Sequence, residues 1–308
     1  MSKLAKIIEN PAIVFRTLGH WGLLNWLDDK IYLSILYRII HGKKLNWNSP
    51  RTYNEKLQWL KIHNRDPLYS TLVDKYEVKK YIKDVIGEEY IIPSIGVWDS
   101  YKEINFRDLP DKFVLKCTHG SGGNIICKDK NKFDYKRAER LLNGWMKHNF
   151  YCGQREWPYK DVKPRIIAEQ YIKDEQDGEL RDYKFFVFNG DVKAMFIATE
   201  RSNEERETCF DFFDENFKHL DIINGHPNAE ILPHKPYYFE LMKQLAVKLA
   251  KDIPHVRVDF YEADGKVYFG EMTFFHWSGF TKFQPEIWDM RFGDWLKLPE
   301  NCIIRDNN

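Results

Sequence analysis

Three stretches of the 308-residue chain carry residues whose types and spacing could do chemistry. In Phe113-Val114-Leu115-Lys116-Cys117 a lysine interrupts an apolar run, where a charge is costly unless it has an anionic partner. His119-Gly120-Ser121-Gly122-Gly123 follows at once. Glycines let backbone amides come close to an anion, so a lysine beside this turn suits phosphate. Further on, Arg257-Val258-Asp259 and Glu271-Met272-Thr273 flank Asp264-Gly265. Carboxylates brought together by a hairpin are hard oxygen ligands, of the kind that hold Mg²⁺ against phosphates. The third stretch, Ile166-Ile167-Ala168-Glu169-Gln170-Tyr171-Ile172, is an apolar strand with a polar end. Such a strand reads adenine through its backbone, or is simply a strand.

Other chemistries lack their residues. There is no G-x-x-x-x-G-K-[ST] phosphate loop, and Ile125 breaks a G-x-G-x-x-G. No two glycines around Ser121 are four apart, which removes a nucleophile elbow. H-E-x-x-H and Asp-x-Asp are both missing, against a zinc protease and a metal-dependent glycosyltransferase.

The elements that must position these residues read as alternating α and β. Asp74-Lys75-Tyr76-Glu77 has the form of a capping box before a helix whose face is Val78, Ile82 and Val85, ending at Gly87. Phe113–Cys117 and Ile125–Cys127 read as strands, 135–149 as a helix, and Arg165–Ile172 as a strand. Tyr183–Phe188 and Val192–Ala198 flank Asn189-Gly190, a two-residue hairpin signal. Leu241, Leu245 and Leu249 mark a helix, and His255–Tyr261 and Val267–Thr273 form the last hairpin.

That hairpin has two solutions. A two-residue Asp264-Gly265 turn on a regular ladder sends Asp259 and Glu271 to opposite faces. A three-residue Ala263-Asp264-Gly265 turn pairs Arg257 with Glu271 and puts both carboxylates on one face. It also groups Phe269 with the charged side chains and Tyr268 with Val258 and Phe260. The second is expected, because it leaves one face almost wholly apolar.

Composition narrows the class. Lys+Arg 47 against Asp+Glu 46 leaves a net charge of +1, without the basic excess of a nucleic-acid binder. Aromatic residues at 16% exclude disorder. Cys117, Cys127, Cys152, Cys209 and Cys302 are odd in number with no C-x-x-C, so neither a disulfide framework nor a zinc site is expected. Glu9, Asn10 and Pro11 break any signal-peptide core after Lys3 and Lys6, and a cytoplasmic protein is expected. Residues 1–50 have a basic excess and a stripe of Trp21, Leu24, Leu27, Ile31, Ile35 and Ile39 at helical spacing. The stripe fits a helix packed on the body, or a peripheral contact with an anionic membrane at its inner face.

Five motifs in order resemble the TupA-like ATP-grasp family, which is associated with teichuronopeptide and capsular polysaccharide biosynthesis. They are Tyr53-Asn54-Glu55-Lys56-Leu57, Val73-Asp74-Lys75-Tyr76, Lys116-Cys117-Thr118-His119-Gly120-Ser121-Gly122, Asp182-Tyr183-Lys184-Phe185-Phe186 and Gly270-Glu271-Met272-Thr273-Phe274. The resemblance spans roughly residues 45–290. It implies Lys75 and Lys116 on the ATP phosphates under a loop of His119, Gly120, Ser121, Gly122 and Gly123. Glu169, Gln170, Tyr171 and Ile172 become the adenine hinge, and Lys184 joins the nucleotide-binding set. Asp259, Glu271 and Thr273 become Mg²⁺ ligands, Thr273 standing where many such ligases carry Asn, and Arg257 lies near the transferred group. The ribose contact falls among Glu175, Asp177 and Glu179.

The expectation is therefore an α/β (α+β) ATP-grasp fold in three parts: a helical extension at 1–50, an N-terminal part with the lid lobe at 51–168, and a C-terminal lobe with the metal site at 169–308. The reaction implied is an ATP- and Mg²⁺-dependent carboxylate–amine ligation through an acyl phosphate. Its partners would be a glycan or sugar carboxylate and an amine or amino acid, with no nucleic acid. The rivals are a sugar phosphotransferase using the same nucleotide site and a non-catalytic glycan-binding scaffold.

Overall fold

Side-chain alternation separates two antiparallel sheets. The structure is a computed structural model that describes residues 10–173, 180–200 and 207–300, together with the backbone of Ile303 and Ile304. In chain order the strands are β1 (Asn64–Arg65), β2 (Ser94–Trp98), β3 (Phe113–Cys117), β4 (Asn124–Cys127), β5 (Ile166–Gln170), β6 (Asp182–Phe188), β7 (Asp191–Thr199), β8 (Cys209–Asp214), β9 (His219–Leu220), β10 (His255–Ala263), β11 (Lys266–Thr273) and β12 (Ile303–Ile304). The smaller sheet runs β2-β5-β3-β4, the larger β11-β10-β6-β7-β8-β9, and β1 pairs in parallel with β12.

In β3, Phe113, Leu115 and Cys117 are buried while Val114 and Lys116 between them are only half-buried. The first set enters a core with Tyr101, Leu109, Ala168 and two residues of the helix Tyr135–Trp145, Ala138 and Leu142. The second set is left for a cleft. That helix starts where Asp134 accepts from the Arg137 amide at 2.9 Å, and it stops short of the expected 149. Tight turns carry the chain through His148, whose amide reaches the Trp145 carbonyl.

Every residue of β6 is buried, so both faces of the larger sheet are covered there. Phe185 packs on Phe239 of the helix Phe239–Leu249, with centroids 5.8 Å apart. On the other face Phe186 meets Phe292 of the helix Ile287–Trp295 at 5.3 Å. The Asn189-Gly190 turn has two residues, both at positive φ (+48° and +89°), and sets Phe188 opposite Asp191, as its chemistry requires. Residues of the first motif serve packing. Thr52 and Glu55 form a reciprocal capping box on the helix Tyr53–His63, the Tyr53 hydroxyl meets His255 Nε2 at 2.8 Å, and the Asn54 amide donates to Asp289 at 2.9 Å.

Three expectations need correction. The last hairpin turns in two residues, Asp264 and Gly265 (φ +50° and +73°), with Ala263 opposite Lys266. Asp259 and Glu271 still share a face, because a bulge at Gly270 shifts the register by one: Phe260 pairs with Phe269, but Asp259 pairs with Glu271. Arg257 therefore lies opposite Thr273 rather than Glu271. Phe269 joins Phe260 on the apolar face, and Tyr268 joins Tyr261 on the charged one. At Asp74 the capping box is half formed. Its carboxylate accepts from the Tyr76 and Glu77 amides at 2.8 and 3.2 Å, but Glu77 pairs with Arg165 instead of reaching back.

The third correction concerns the N-terminal stripe. It is broken into helices Pro11–His20 and Asp29–His41, with Trp21, Leu24 and Leu27 in the connection. The face turned inward is Tyr32, Leu33, Leu36 and Tyr37, offset from the stripe, while Ile31 and Ile35 are exposed. The extension is docked on the body by Arg155. Its guanidinium donates to the Leu24 carbonyl (2.8 Å) and Asn25 Oδ1 (3.2 Å) and lies 3.3 Å from Asp29.

The bulge yields a prediction. A Cβ on Gly270 would sit 3.1 Å from the Asp259 carbonyl oxygen and from the Tyr261 ring, whereas one on Gly265 meets only the Tyr238 hydroxyl, at an ordinary 3.9 Å, and a strained φ. Gly270→Ala and Gly265→Ala should each cost about 1–2 kcal/mol in urea unfolding. Only Gly270→Ala should also weaken Mg²⁺-dependent nucleotide binding. Equal affinity in both variants would mean the bulge does not set the register that matters.

Candidate active site: a cleft between two sheets

Lys116 and Val114 of β3, Gln170 at the end of β5, Tyr171, Ile172 and Tyr261 of β10 line a pocket of about 270 Å³. Both sheets thus contribute to one cleft. Lys116 has the anionic partner that its apolar strand demands. Its Nζ lies 2.7 Å from Glu169 Oε2, and Lys79 Nζ lies 2.5 Å from the other oxygen. Burial pushes the Glu169 carboxyl up, but the two ammonium groups outweigh it and hold its pKa below the ordinary value.

The Gly-rich turn joins β3 to β4 above this pair. Gly122 and Gly123 are at φ +77° and +71°, a region that favours glycine, and a Cβ on Gly122 would touch nothing. The space in front of Gly122 is open for a ligand. Lys75 Nζ donates to the Gly120 carbonyl, and burial lowers the pKa of Lys75. The His119 ring is buried against the Trp145 carbonyl at 3.2 Å, where desolvation lowers its pKa, so it is neutral at pH 7 and anchors the turn. Burial pushes the Cys117 thiol up to about 11, which leaves no reactive thiolate beside the turn.

On the larger sheet the bulged hairpin gathers a second set. Arg257 is its centre: Nε and Nη2 donate to the two Asp259 oxygens at 2.7 Å each. Nη2 also reaches Glu271 Oε1 at 3.1 Å and Thr273 Oγ1 at 2.9 Å, and Nη1 lies 2.8 Å from His276 Nδ1. From β6, Lys184 donates to Asp259 and lies 3.1 Å from Asp182. Burial works against the Arg257 charge, but Asp259 and Glu271 overcome it and raise its pKa. Burial likewise raises Glu271, yet Lys184, Arg257 and Lys75 bring it below the usual carboxylate value.

A match to known sequences bears on this geometry. Residues 55–297 match the family described as TupA-like ATPgrasp. The chain belongs to that family. No curated protein matches. Among solved structures, the chain is similar to D-alanine–D-alanine ligase from Bacillus anthracis at 19% identity, covering 73% of this chain and 59% of that one, with a TM-score of 0.40. It is also similar to the ADP complex of N5-carboxyaminoimidazole ribonucleotide synthetase at 16%, covering 80% and 56%, with a TM-score of 0.43. A third is the ATP-grasp ligase PsnB with minimal precursor, Mg and ADP, at 11%, covering 72% and 57%, with a TM-score of 0.38. The chain thus spans little more than half the length of these proteins.

Within this ATP-grasp chain, the expected residues fall into two groups. On one side Lys116 and Glu169–Ile172 line one pocket, with Lys75 on the Gly120 carbonyl of the glycine turn, which itself lines a separate cavity; on the other, Lys184, Arg257, Asp259, Glu271 and Thr273 form one ion-paired cluster. Glu175, Asp177 and Glu179 lie outside the described residues. Sequence reading passed over Lys79, Asp182, Tyr261 and His276. Asp182 was within reach, since it alternates with Lys184 on a single strand face. Tyr261 was within reach too, since it follows Arg257 and Asp259 at the same period on a strand that pairs with β6 without a register shift.

The donor set fits a divalent cation. Asp259 pairs with Lys184 and Arg257, and Arg257 also reaches Glu271 and Thr273, so two carboxylates and a hydroxyl converge on one sheet face. Asp259 has both oxygens engaged, whereas the Glu271 side chain is one-third exposed. Among the described residues no three His, Cys, Asp or Glu side chains form a ready-made metal centre. Two carboxylates and a hydroxyl still make a hard oxygen set suited to Mg²⁺.

The Glu169 pairs give a pH-dependent prediction. Glu169→Gln leaves two ammonium groups without a carboxylate and should destabilise the protein by about 3–5 kcal/mol at pH 7. Because the folded pKa of Glu169 is depressed, its contribution is present above the unfolded value near ~4.3 and fades as pH falls through the folded value. Denaturation curves of the two proteins should converge in that acid range. A constant gap from pH 7 to pH 3 would contradict the assignment.

Proposed function

We propose that the protein is an ATP-grasp ligase that joins a carboxylate to an amine. The observation that carries this reading is the Arg257 cluster. A buried guanidinium joins two carboxylates and a hydroxyl on the same sheet face, across a cleft from a lysine beside a glycine turn. In this reading Lys116 and Lys75 receive the ATP phosphates, with the Gly120–Gly123 amides over them. Gln170, Tyr171 and Ile172 hold the base by their backbone, with Tyr261 against it. Lys184 supports the phosphate end of the site. Asp259, Glu271 and Thr273 would hold Mg²⁺, which supplies charge neutralisation on the phosphates when bound.

The chemistry then needs position and charge more than a nucleophilic side chain. The substrate carboxylate oxygen attacks the γ-phosphorus and ADP leaves. An amine attacks the resulting acyl phosphate, and phosphate leaves as the amide forms. Arg257 is placed to stabilise negative charge on the transferred group. The family supports an acidic sugar of a cell-surface polysaccharide, or its precursor, as the carboxylate, and an amino acid or amine as the nucleophile. We assign the extension at 1–50, the smaller-sheet lobe and the larger-sheet lobe to three roles: an outer wall, a lid over the phosphates, and the catalytic floor. Among the described residues no helix is long and apolar enough to cross a membrane.

Incubation with MgATP, hexuronates and a panel of amino acids tests the reaction. ADP and free phosphate should appear together, only when both substrates are present. ADP with a phosphorylated sugar and no free phosphate would replace the ligase by a phosphotransferase, and failure to bind MgATP would leave a non-catalytic protein.

Two variant sets refine this. Lys116→Ala should lower turnover by roughly 10²–10³ while the fold survives, because Glu169 keeps Lys79. Asp259→Asn and Glu271→Gln should each abolish Mg²⁺-dependent turnover, with the double variant little worse than either. Additive losses would show that the two carboxylates do not act on one ion.

A further inference from the structure

A second cavity, about 790 Å³, opens from the catalytic face. It shares Lys184, Arg257 and Thr273 with the ion-paired cluster, and its opposite wall comes from the N-terminal helices, including Arg16. Its size falls in the roughly 300–1,000 Å³ range of small-molecule sites. Two features of its wall have no use in nucleotide binding.

The first is a strained turn. Trp277, Ser278 and Gly279 lie consecutively at φ +48°, +56° and +66°. Left-handed backbone at two non-glycine residues persists only where the surroundings over-determine it. Here they do. Gln58 Nε2 donates to the Ser278 and Gly279 carbonyls at 3.0 and 2.8 Å, and buried Lys61 donates to the Ser278 carbonyl at 2.8 Å and to Gln58 Oε1 at 3.0 Å. The Ser278 hydroxyl donates to Glu156, itself buried. This network leaves the Trp277 indole 40% exposed on the cavity wall. Phe210 supports it at 6.1 Å and 25°, and Gly225 makes room, since a Cβ there would lie 2.9 Å from the ring. A fold that spends a buried polar network on keeping an indole half in water presents a flat, electron-rich face to something.

The second feature is Arg16. It is half-buried on the same wall and has no ion-pair partner among the described residues. It also lies before residue 55, where the family match begins. A guanidinium that faces a cavity and has no carboxylate partner among the described residues calls for an anion.

We propose that this cavity is the acceptor site and that it takes an acidic oligosaccharide. One sugar ring rests its C–H face on Trp277, and an acid group of a neighbouring sugar pairs with Arg16. Trp277 and Arg16 are binding residues, and Gln58, Lys61 and Glu156 are positioning residues that act through the turn. The placement of the reacting carboxylate at Arg257 rests on the ligase reading, whereas the binding itself needs neither ATP nor turnover.

Calorimetry on the full chain without nucleotide tests this, with trigalacturonate as the acidic probe and maltotriose as its neutral counterpart. ATP affinity is measured separately, so that failure of the ligase reading is distinguishable from failure of this one. Trigalacturonate should bind at least tenfold more tightly than maltotriose. Arg16→Ala should weaken trigalacturonate roughly tenfold to a hundredfold and erase the preference, with Arg16→Lys restoring part of it. Trp277→Ala should weaken both saccharides, and Trp277→Phe should recover binding in part. Gln58→Ala should reproduce the Trp277→Ala loss while ATP affinity stays within about twofold, a split that general destabilisation would not produce. Equal binding of the two saccharides, no effect of Arg16→Ala, or no saccharide binding at all by the wild type would each overturn the proposal.

Discussion

A charge withdrawn from water must be partnered whether or not a ligand is present. In this chain that constraint organises the cleft. Lys116 and Lys79 share Glu169, and Lys184 and Arg257 share Asp259. Of the cations proposed for the phosphates, Lys116 and Lys184 are each held on a carboxylate of the protein, and Lys75 on a backbone carbonyl. The strand order follows from this requirement. Glu169 stands opposite Val114 because β5 lies beside β3, and Lys184 stands opposite Asp259 because β6 lies beside β10.

Under the proposed function, nucleotide binding is an exchange of partners more than the filling of an empty charged hole. In that proposal phosphate would take the lysines, and the carboxylates left behind would become available to a divalent cation carried with the nucleotide. The pairs also keep the side chains extended into the cleft, so little ordering remains when the ligand arrives. Arg257 is held by four neighbours at once, Asp259, Glu271, Thr273 and His276, and is the least free to move. Lys75 is tied to the glycine turn itself, through the Gly120 carbonyl.

Much of this was legible in the residues. The strands around Lys116 and the Asn189-Gly190 hairpin follow from alternation and turn chemistry, and the convergence of Asp259 with Glu271 was expected, though from a three-residue turn that the chain does not make. The route to that convergence was not. A two-residue turn and a bulge at Gly270 place side chains as a three-residue turn would near the carboxylates, and differ only at Tyr268 and Phe269. Local patterning cannot separate them, because a bulge is one unpaired residue whose cost is met by tertiary contacts. The N-terminal stripe misled for a related reason. Helical spacing was continuous through Trp21, Leu24 and Leu27, but Gly22 at φ +75° and the Asp28 cap break the helix. The part of Glu169 in holding two lysines was hidden because the partners are 53 and 90 residues away in the chain.

The most direct test of partner exchange is a crystal structure of the complex with a non-hydrolysable ATP analogue and Mn²⁺, using the anomalous signal of manganese to place the metal. The account predicts an anomalous peak beside Glu271 at the nucleotide phosphates, with Lys116 Nζ on a phosphate oxygen and Glu169 retained by Lys79. A nucleotide bound with Lys116 still on Glu169, and no metal peak beside Glu271 or Asp259, would contradict it.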